Sequence, residues 1–490
     1  MLRTATGRVA NLLNEATPTN RLPPELLARI LNFAVNHGSE EHAKQIIPLT
    51  HVCRYWRTLL LSYPRMWSTI CMKPGDLGIV SEWLARSQNS PLTVIAEFND
   101  TYEHSSCRYQ DSPTATLADT DDLEVCPRHE AVLSLDQLLP HRSRVSDLKI
   151  LVHLSDPGWE DSDRDGEPIL LHHEFFKGTL SNLQRLDFRA AHAEESRYTI
   201  PVPDTLFAGQ LPRLKELRYL GVNGGLTMTA KNLTLCEIGS WSGSAGSAIV
   251  SPGELQTLFN NNKTVKSLKI NDCDIFGRAT TPVPLTDINF LKLYSLVGDD
   301  LQAILKCIHV PQFRSLNTLR LSLPFPDMQA VATDGSGHTF EFSQSIGDDP
   351  DFYPLQYLGV HVTTLRLGRG MTLQRLDEDE WSGLCAFFRS LDAVQVLESD
   401  GMTILAGNVL SRILSGSGVF PELRVIRVVV CWDGCERSLQ LLAPLLRLRM
   451  EEGNPLTRVE PLFVKDGDGL GRAEWEKHYE AEGIRNLLSE

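Results

Sequence analysis

One short phrase, apolar-x-x-apolar-x-apolar, recurs along this chain from Val145 onward and constrains its fold more than any other feature. It reads Val145-Leu148-Ile150, Leu183-Leu186-Phe188, Leu214-Leu217-Tyr219, Leu233-Cys236-Ile238 and Val265-Leu268-Ile270. It continues at Ile288-Leu291-Leu293, Leu316-Leu319-Leu321, Leu355-Leu358-Val360, Val394-Leu397-Ser399, a weak member with a polar last residue, and Leu423-Ile426-Val428. The last two positions of each phrase are two residues apart, so they share one face of a strand. Segments such as LSNLQRLDF, LPRLKELRYL and FPELRVIRVVV lead into these strands from helix-like or Pro-bearing stretches. A turn of one strand plus one helix or loop cannot bury its apolar side alone, so neighbouring turns must stack. The interval averages about 31 residues and wanders widely. Loop insertions are therefore expected at Asp156–Pro168, Ala190–Pro203, Trp241–Pro252 and Pro326–Pro350.

The N-terminal stretch has a different period. Pro23 and Pro24 suit the lead-in and first turn of a helix. On a helical wheel Leu22, Leu26, Ile30 and Phe33 form one stripe, which Leu27, Leu31 and Ala34 widen. Glu25, Ala28, Arg29 and Asn32 fill the other half. A second helix is expected after Pro48, with a stripe of Leu49, Val52, Cys53, Trp56, Leu59 and Leu60, closed by Pro64. Met66, Trp67 and Ile70 add an apolar cluster. A module of about 50 residues keeps much of its surface in water. Two wide apolar faces therefore need cover, either from the rest of the chain or from a partner.

LPPELLARIL, followed by VCRYWRTLLLSYPRMWSTI, closely resembles an F-box of the form found in large families of filamentous and mushroom-forming fungi, including the basidiomycete type. SEWLARSQNSPLTVIAEF, from Ser81 to Phe98, is similar to the helix and strand that follow the F-box in those proteins. The recurrent phrase resembles a degenerate leucine-rich repeat. Together they imply an α/β chain: a short all-helical F-box followed by an irregular leucine-rich-repeat-like α/β solenoid. The expected order is a disordered arm over 1–20, the F-box over 21–70, a linker helix, strand and polar insertion over 71–144, the repeat region over 145–470 and a C-terminal helix over 471–490.

The resemblance implies the substrate-recognition subunit of a Skp–cullin–F-box ubiquitin ligase. The F-box would dock on a Skp-type adaptor and through it on cullin–RING, while the repeats hold a protein target. Adaptor-facing residues implied in this way are Leu22, Pro23, Leu26, Leu27, Ile30, Leu49, Val52, Cys53 and Trp56. Such a subunit is non-catalytic and needs neither cofactor nor metal. The alternative is an F-box and repeat interaction protein acting outside ubiquitination.

Bulk properties narrow the field. A net charge of −15, from 47 basic and 62 acidic residues, argues against nucleic-acid binding through overall charge. No apolar run is long enough to span a membrane, and MLRTATGRVANLLNEATPTN lacks the apolar core of a secretory signal. Ten cysteines without dense pairing suit free thiols in a cytoplasmic or nuclear protein.

The residue between the second and third apolar positions should point away from the core. Those residues are Lys149, Asp187, Arg218, Glu237, Lys269, Lys292, Arg320, Gly359, Glu398 and Arg427, six of the ten being basic. Aligned strands would gather Lys149, Arg218, Lys269, Lys292, Arg320 and Arg427 on one face, suited to an acidic or phosphorylated protein segment. Other constellations are weaker. DSDRDG at Asp161–Gly166 imitates a calcium loop but has His172 where a bidentate Glu belongs. His172, His173 and Glu174 lack a second ligand pair, and so do Cys431 and Cys435. The glycine-rich run after Asp466 lacks a P-loop lysine.

Overall fold

Cys53 breaks the helical stretch that the sequence reads as one. The computed structural model describes residues 13–35 (except 15), 41–73, 77–100, 127–154, 171–192 (except 172), 200–202, 206–223, 226, 230–240, 248–275, 281–294, 296, 298–322, 327–345, 361–367, 386–399, 419–430 and, with gaps, 443–463. Within them α1 spans Pro24–Ala34, α2 His42–Leu49 and α3 Arg54–Leu61. The helix expected after Pro48 is thus two helices. Pro48 sits in the last turn of α2, where it has no N–H to donate to the carbonyl four residues back and so weakens the helix near its end. Cys53 is extended and caps α3, its Sγ accepting from the Trp56 N–H at 3.5 Å. Nor does the arm stay loose to residue 20: Pro18–Arg21 form a tight turn. Pro64 opens a further turn over Pro64–Trp67 rather than ending α3.

The chain divides into two compact units, 1–250 and 251–490. In the first, β1 (Thr69–Met72), α4 (Leu77–Ser87) and β2 (Leu92–Asp100) follow the helices. Then come α5 (Pro127–Leu138), β3 (Val145–Leu154), α6 (Glu174–Lys177), β4 (Arg185–His192), β5 (Glu216–Leu220) and β6 (Leu235–Gly239). The six strands pair in chain order, every pair parallel.

The second unit opens with α7 (Pro252–Asn261). Its start is fixed by Ser251, which accepts from the Glu254 N–H while the Glu254 carboxylate accepts from the Ser251 N–H. The strands of its main sheet are β7 (Ser267–Asn271), β8 (Phe290–Tyr294), β9 (Thr318–Ser322), β10 (Asp327–Thr333), β11 (Thr339–Ser345), β12 (Thr364–Leu367), β13 (Val396–Ser399), β14 (Val425–Val430) and β15 (Arg458–Phe463), with α8 (Gly298–Cys307) between β8 and β9. The spatial order is β7-β8-β11-β10-β9-β12-β13-β14-β15, parallel except where β10 lies antiparallel to both its neighbours.

The recurrent phrase marks strands at nine of its ten occurrences, and Leu355-Leu358-Val360 lies outside the described residues. Its described apolar members, from Val145 to Ile426, are buried. A main-chain stitch repeats with it. The Gln184 carbonyl accepts from the N–H groups of both Lys215 and Glu216. In the same way Lys215 accepts from Thr234 and Leu235, Thr363 from Gln395 and Val396, and Gln395 from Arg424 and Val425. Because only the entry to each strand is fixed in this way, the intervening length is free to vary.

Pro326–Pro350 is not a loop insertion. It contains β10 and β11, in which buried Ala330, Ala332, Phe340 and Phe342 alternate with half-buried Val331 and Glu341. That is strand periodicity. The expected calcium-like loop, the Cys431–Cys435 pair, the run after Asp466 and the helix over Ala473–Gly483 lie outside the described residues.

Candidate functional site

The three N-terminal helices have two apolar faces. The inner one holds Leu27, Ala28 and Leu31 of α1, Ile46 of α2 and Leu60 of α3, with Met66 and Trp67 beneath, all buried. Ala28, placed by the wheel on the polar half, belongs to this core. The His42 ring contacts the Met66 carbonyl through Nε2 at 3.1 Å, and Trp67 donates to the Leu60 carbonyl at 2.8 Å. Buried Val80, Trp83 and Leu84 of α4 close the floor.

The outer face is left in water. Leu26 is 48% exposed, Ile30 51%, Phe33 81% and Val52 57%, and Ile47, Tyr55 and Leu61 are also exposed. Leu26, Ile30 and Phe33 stand at i, i+4 and i+7 on α1, one side of that helix. Exposed large side chains are ordinary when scattered, but gathered on one small module they mark a binding surface.

The adaptor-facing set read from the sequence divides accordingly. Pro23, Leu26, Ile30 and Val52 are exposed, Leu22, Leu49, Cys53 and Trp56 are half-buried, and Leu27 is fully buried. Leu27 therefore belongs to the module's own core. Trp56 is anchored from outside the three helices: its indole N–H donates to Asn20 Oδ1 at 2.6 Å, and Asn20 donates in turn to the Asn14 carbonyl at 2.7 Å. Phe33, Ile47, Tyr55 and Leu61 are surface residues that the set omitted. Phe33 was already on the sequence stripe, and its spacing from Leu26 is the signal that identifies it.

The row of charges across the sheets is the second feature. In the first unit Lys149, Asp187, Arg218 and Glu237 are register neighbours on successive strands. In the second, Lys269 lies beside Lys292, Lys292 beside Glu341, Arg320 beside Arg366, Arg366 beside Glu398, Glu398 beside Arg427 and Arg427 beside Glu460. Arg218 reaches Asp187 at 3.8 Å and Glu237 at 3.4 Å, and Lys292 reaches Glu341 at 3.1 Å. Arg427 bonds Glu398 and Glu460, each at 2.7 Å. The row is consequently not basic throughout. Carboxylates interleave with the cations because parallel pairing puts equivalent positions of neighbouring strands side by side, where opposite charges attract. The hydrogen bond to Glu460, then that to Glu398, raises the Arg427 pKa. Arg427 in turn holds the Glu460 carboxyl below its ordinary value. Among the described residues of the row, cations lie side by side at Lys269–Lys292 and Arg320–Arg366.

His173 and Glu174, singled out in the sequence, have structural places. His173 caps α6, its Nδ1 accepting from the Phe175 N–H at 3.1 Å, and its Nε2 lies 3.1 Å from Asp136. Glu174 bonds Lys177. Burial pushes the Cys236 thiol up to about 12 and the Cys307 thiol to about 11. No helix among the described residues is long and apolar enough to cross a membrane.

Comparison of the chain with curated proteins finds no match. Residues 19–73, which contain all three helices and both apolar faces, match the F-box-like family. The chain thus carries an F-box-like domain, and a strand-rich region built on mostly parallel pairing follows it.

Proposed function

We propose that this chain is the substrate-recognition subunit of a Skp–cullin–F-box ubiquitin ligase, of the fungal type its sequence resembles. The carrying observation is the outward apolar set Leu26, Ile30, Phe33 and Val52 on an F-box-like domain whose core is already complete without it. A Skp-type adaptor supplies the missing cover and joins the chain to cullin–RING. The strand-rich region acts as a degenerate leucine-rich-repeat-like solenoid that holds a protein target. The chain is non-catalytic: it raises the local concentration of target lysines near a charged conjugating enzyme.

Target recognition rests on the sheet positions Lys149 and Arg218 in the first unit and Lys269, Lys292, Arg320 and Arg427 in the second. In the second unit Lys269 beside Lys292 and Arg320 beside Arg366 bring cations of neighbouring strands together, which suits an acidic or phosphorylated segment. Co-expression with a recombinant Skp-type adaptor and cullin tests the assignment. Recovery of all three together supports a ligase subunit. Adaptor without cullin places the chain outside ubiquitination, and recovery of neither overturns the reading.

A further inference from the structure

The F-box-like domain is charged opposite to the rest of the chain. Residues 19–73 hold seven Lys and Arg against three Glu, a net of +4, whereas the whole chain is −15, so the remainder carries −19. Of these cations, Lys44 pairs with Glu41 at 3.7 Å and Lys73 with Glu97 at 2.7 Å. Arg21, Arg29, Arg54, Arg57 and Arg65 are exposed. Arg54 and Arg57 stand on either side of the exposed Tyr55 in the chain and follow the exposed Val52, so they adjoin two exposed apolar residues of the outer face.

Their position opposes local stability. They are the first and fourth residues of α3, which has no acidic residue in its first turn. Cations there face the positive end of the helix dipole, where a carboxylate would be favoured. Departures from a local rule without compensation inside the fold tend to serve function. The same two charges raise the potential beside an apolar surface that is open to a partner.

We propose that the partner seated on Leu26, Ile30, Phe33 and Val52 presents a carboxylate rim to Arg54 and Arg57. This rests on the adaptor reading and adds to it. The adaptor's docking surface is an apolar seat edged with acid, and the arginines steer it past a chain whose remaining charge would repel it. Charges at the rim of an interface act chiefly on the association rate and its salt dependence. The apolar centre sets how long the complex lasts.

The test measures association of the full chain with a recombinant Skp-type adaptor at low and high salt. The wild-type rate is expected to fall about tenfold or more as salt rises. Arg54→Glu with Arg57→Glu should start about tenfold slower at low salt, lose most of the salt dependence and leave the dissociation rate nearly unchanged. Arg54→Gln with Arg57→Gln should fall between. Lys263→Glu, an exposed cation far along the sequence, should behave as wild type. Adaptor binding at a salt-independent rate, or reversal variants that associate as fast as wild type, would overturn the carboxylate rim and leave the adaptor reading standing. Absence of binding by the wild type at either salt concentration would overturn both.

Discussion

The indole rings of Trp67 and Trp83 meet edge to face with their centroids 5.2 Å apart. Trp67 lies within the F-box-like domain and Trp83 lies on α4, beyond it. The Arg86 guanidinium of the same helix covers the Trp67 ring at 4.5 Å. The floor of the F-box-like domain is therefore supplied by the helix that follows it. Trp83→Ala should destabilise the first unit by about 3–5 kcal/mol, read as a lowered urea midpoint. Arg86→Ala, which removes this partly exposed cation–π contact and the ion pair with Glu82 at 2.7 Å, should cost about 1 kcal/mol.

Asp334 organises the turn between β10 and β11. Its carboxylate accepts from the Ser336 N–H at 2.8 Å and the His338 N–H at 3.0 Å, lies 2.8 Å from His338 Nδ1 and bonds Ser315. Burial by itself would raise its pKa, but the bonds from Ser315, His338 and the two N–H groups outweigh burial and hold it well below the ordinary carboxylate value. A depressed pKa means that this group's stabilisation is fully present above about pH 4 and is lost as pH falls toward the folded value. Asp334→Asn should accelerate exchange of the Ser336 and His338 amides at pH 6. Its deficit in urea midpoint should shrink as the pH is lowered toward 2. A deficit independent of pH would contradict the assignment.

Two backbone sites have opposite expectations. Ala208 is exposed with φ of 53°, a left-handed conformation that any side chain resists. Ala208→Gly should stabilise by about 1 kcal/mol. Gly221 has φ of 71°, and a Cβ there would stand 2.5 Å from the Ala190 carbonyl oxygen. Gly221→Ala should therefore destabilise by more than about 1 kcal/mol. Thermal melts of the two variants should shift in opposite directions.

The strands were readable wherever apolar residues at both strand positions are large, as at Leu291 and Leu293. They are hidden where the inward residues are small: Ala330 and Ala332 carry little hydrophobic signal, so the sequence of β10 reads as a loop. Val362-Leu365-Leu367 repeats the same pattern and Leu456-Val459 repeats its first two members, but irregular spacing gives no frame that points to either. Neighbours across strands are invisible in a single chain. Glu341, Arg366 and Glu460 thus enter the charge row only in three dimensions, and they turn an expected basic stripe into an alternating one. At the N-terminus both faces of α1 are apolar, so periodicity alone could not separate Leu26, outside, from Leu27, inside.

Glu398 shows what that alternation does for stability. It is 5% exposed and lies between Arg366, at 2.5 Å, and Arg427, at 2.7 Å. Glu398→Ala leaves two neighbouring cations without their shared carboxylate and should cost about 2–3 kcal/mol. Replacing a partner on one side only, as in Arg366→Ala, should cost less. Urea denaturation of the two variants orders them.

The central claim separates two adjacent leucines, and one paired measurement decides it: adaptor capture and thermal melting for Leu26→Asp and Leu27→Asp in the full chain. Loss of about 1.5–3 kcal/mol for one buried leucine, with an added unpaired charge, predicts that Leu26→Asp melts as wild type while its capture of a recombinant Skp-type adaptor falls by orders of magnitude. Leu27→Asp should lower the melting temperature of the first unit. A Leu26→Asp chain that folds normally and retains the adaptor at the wild-type level would contradict the account.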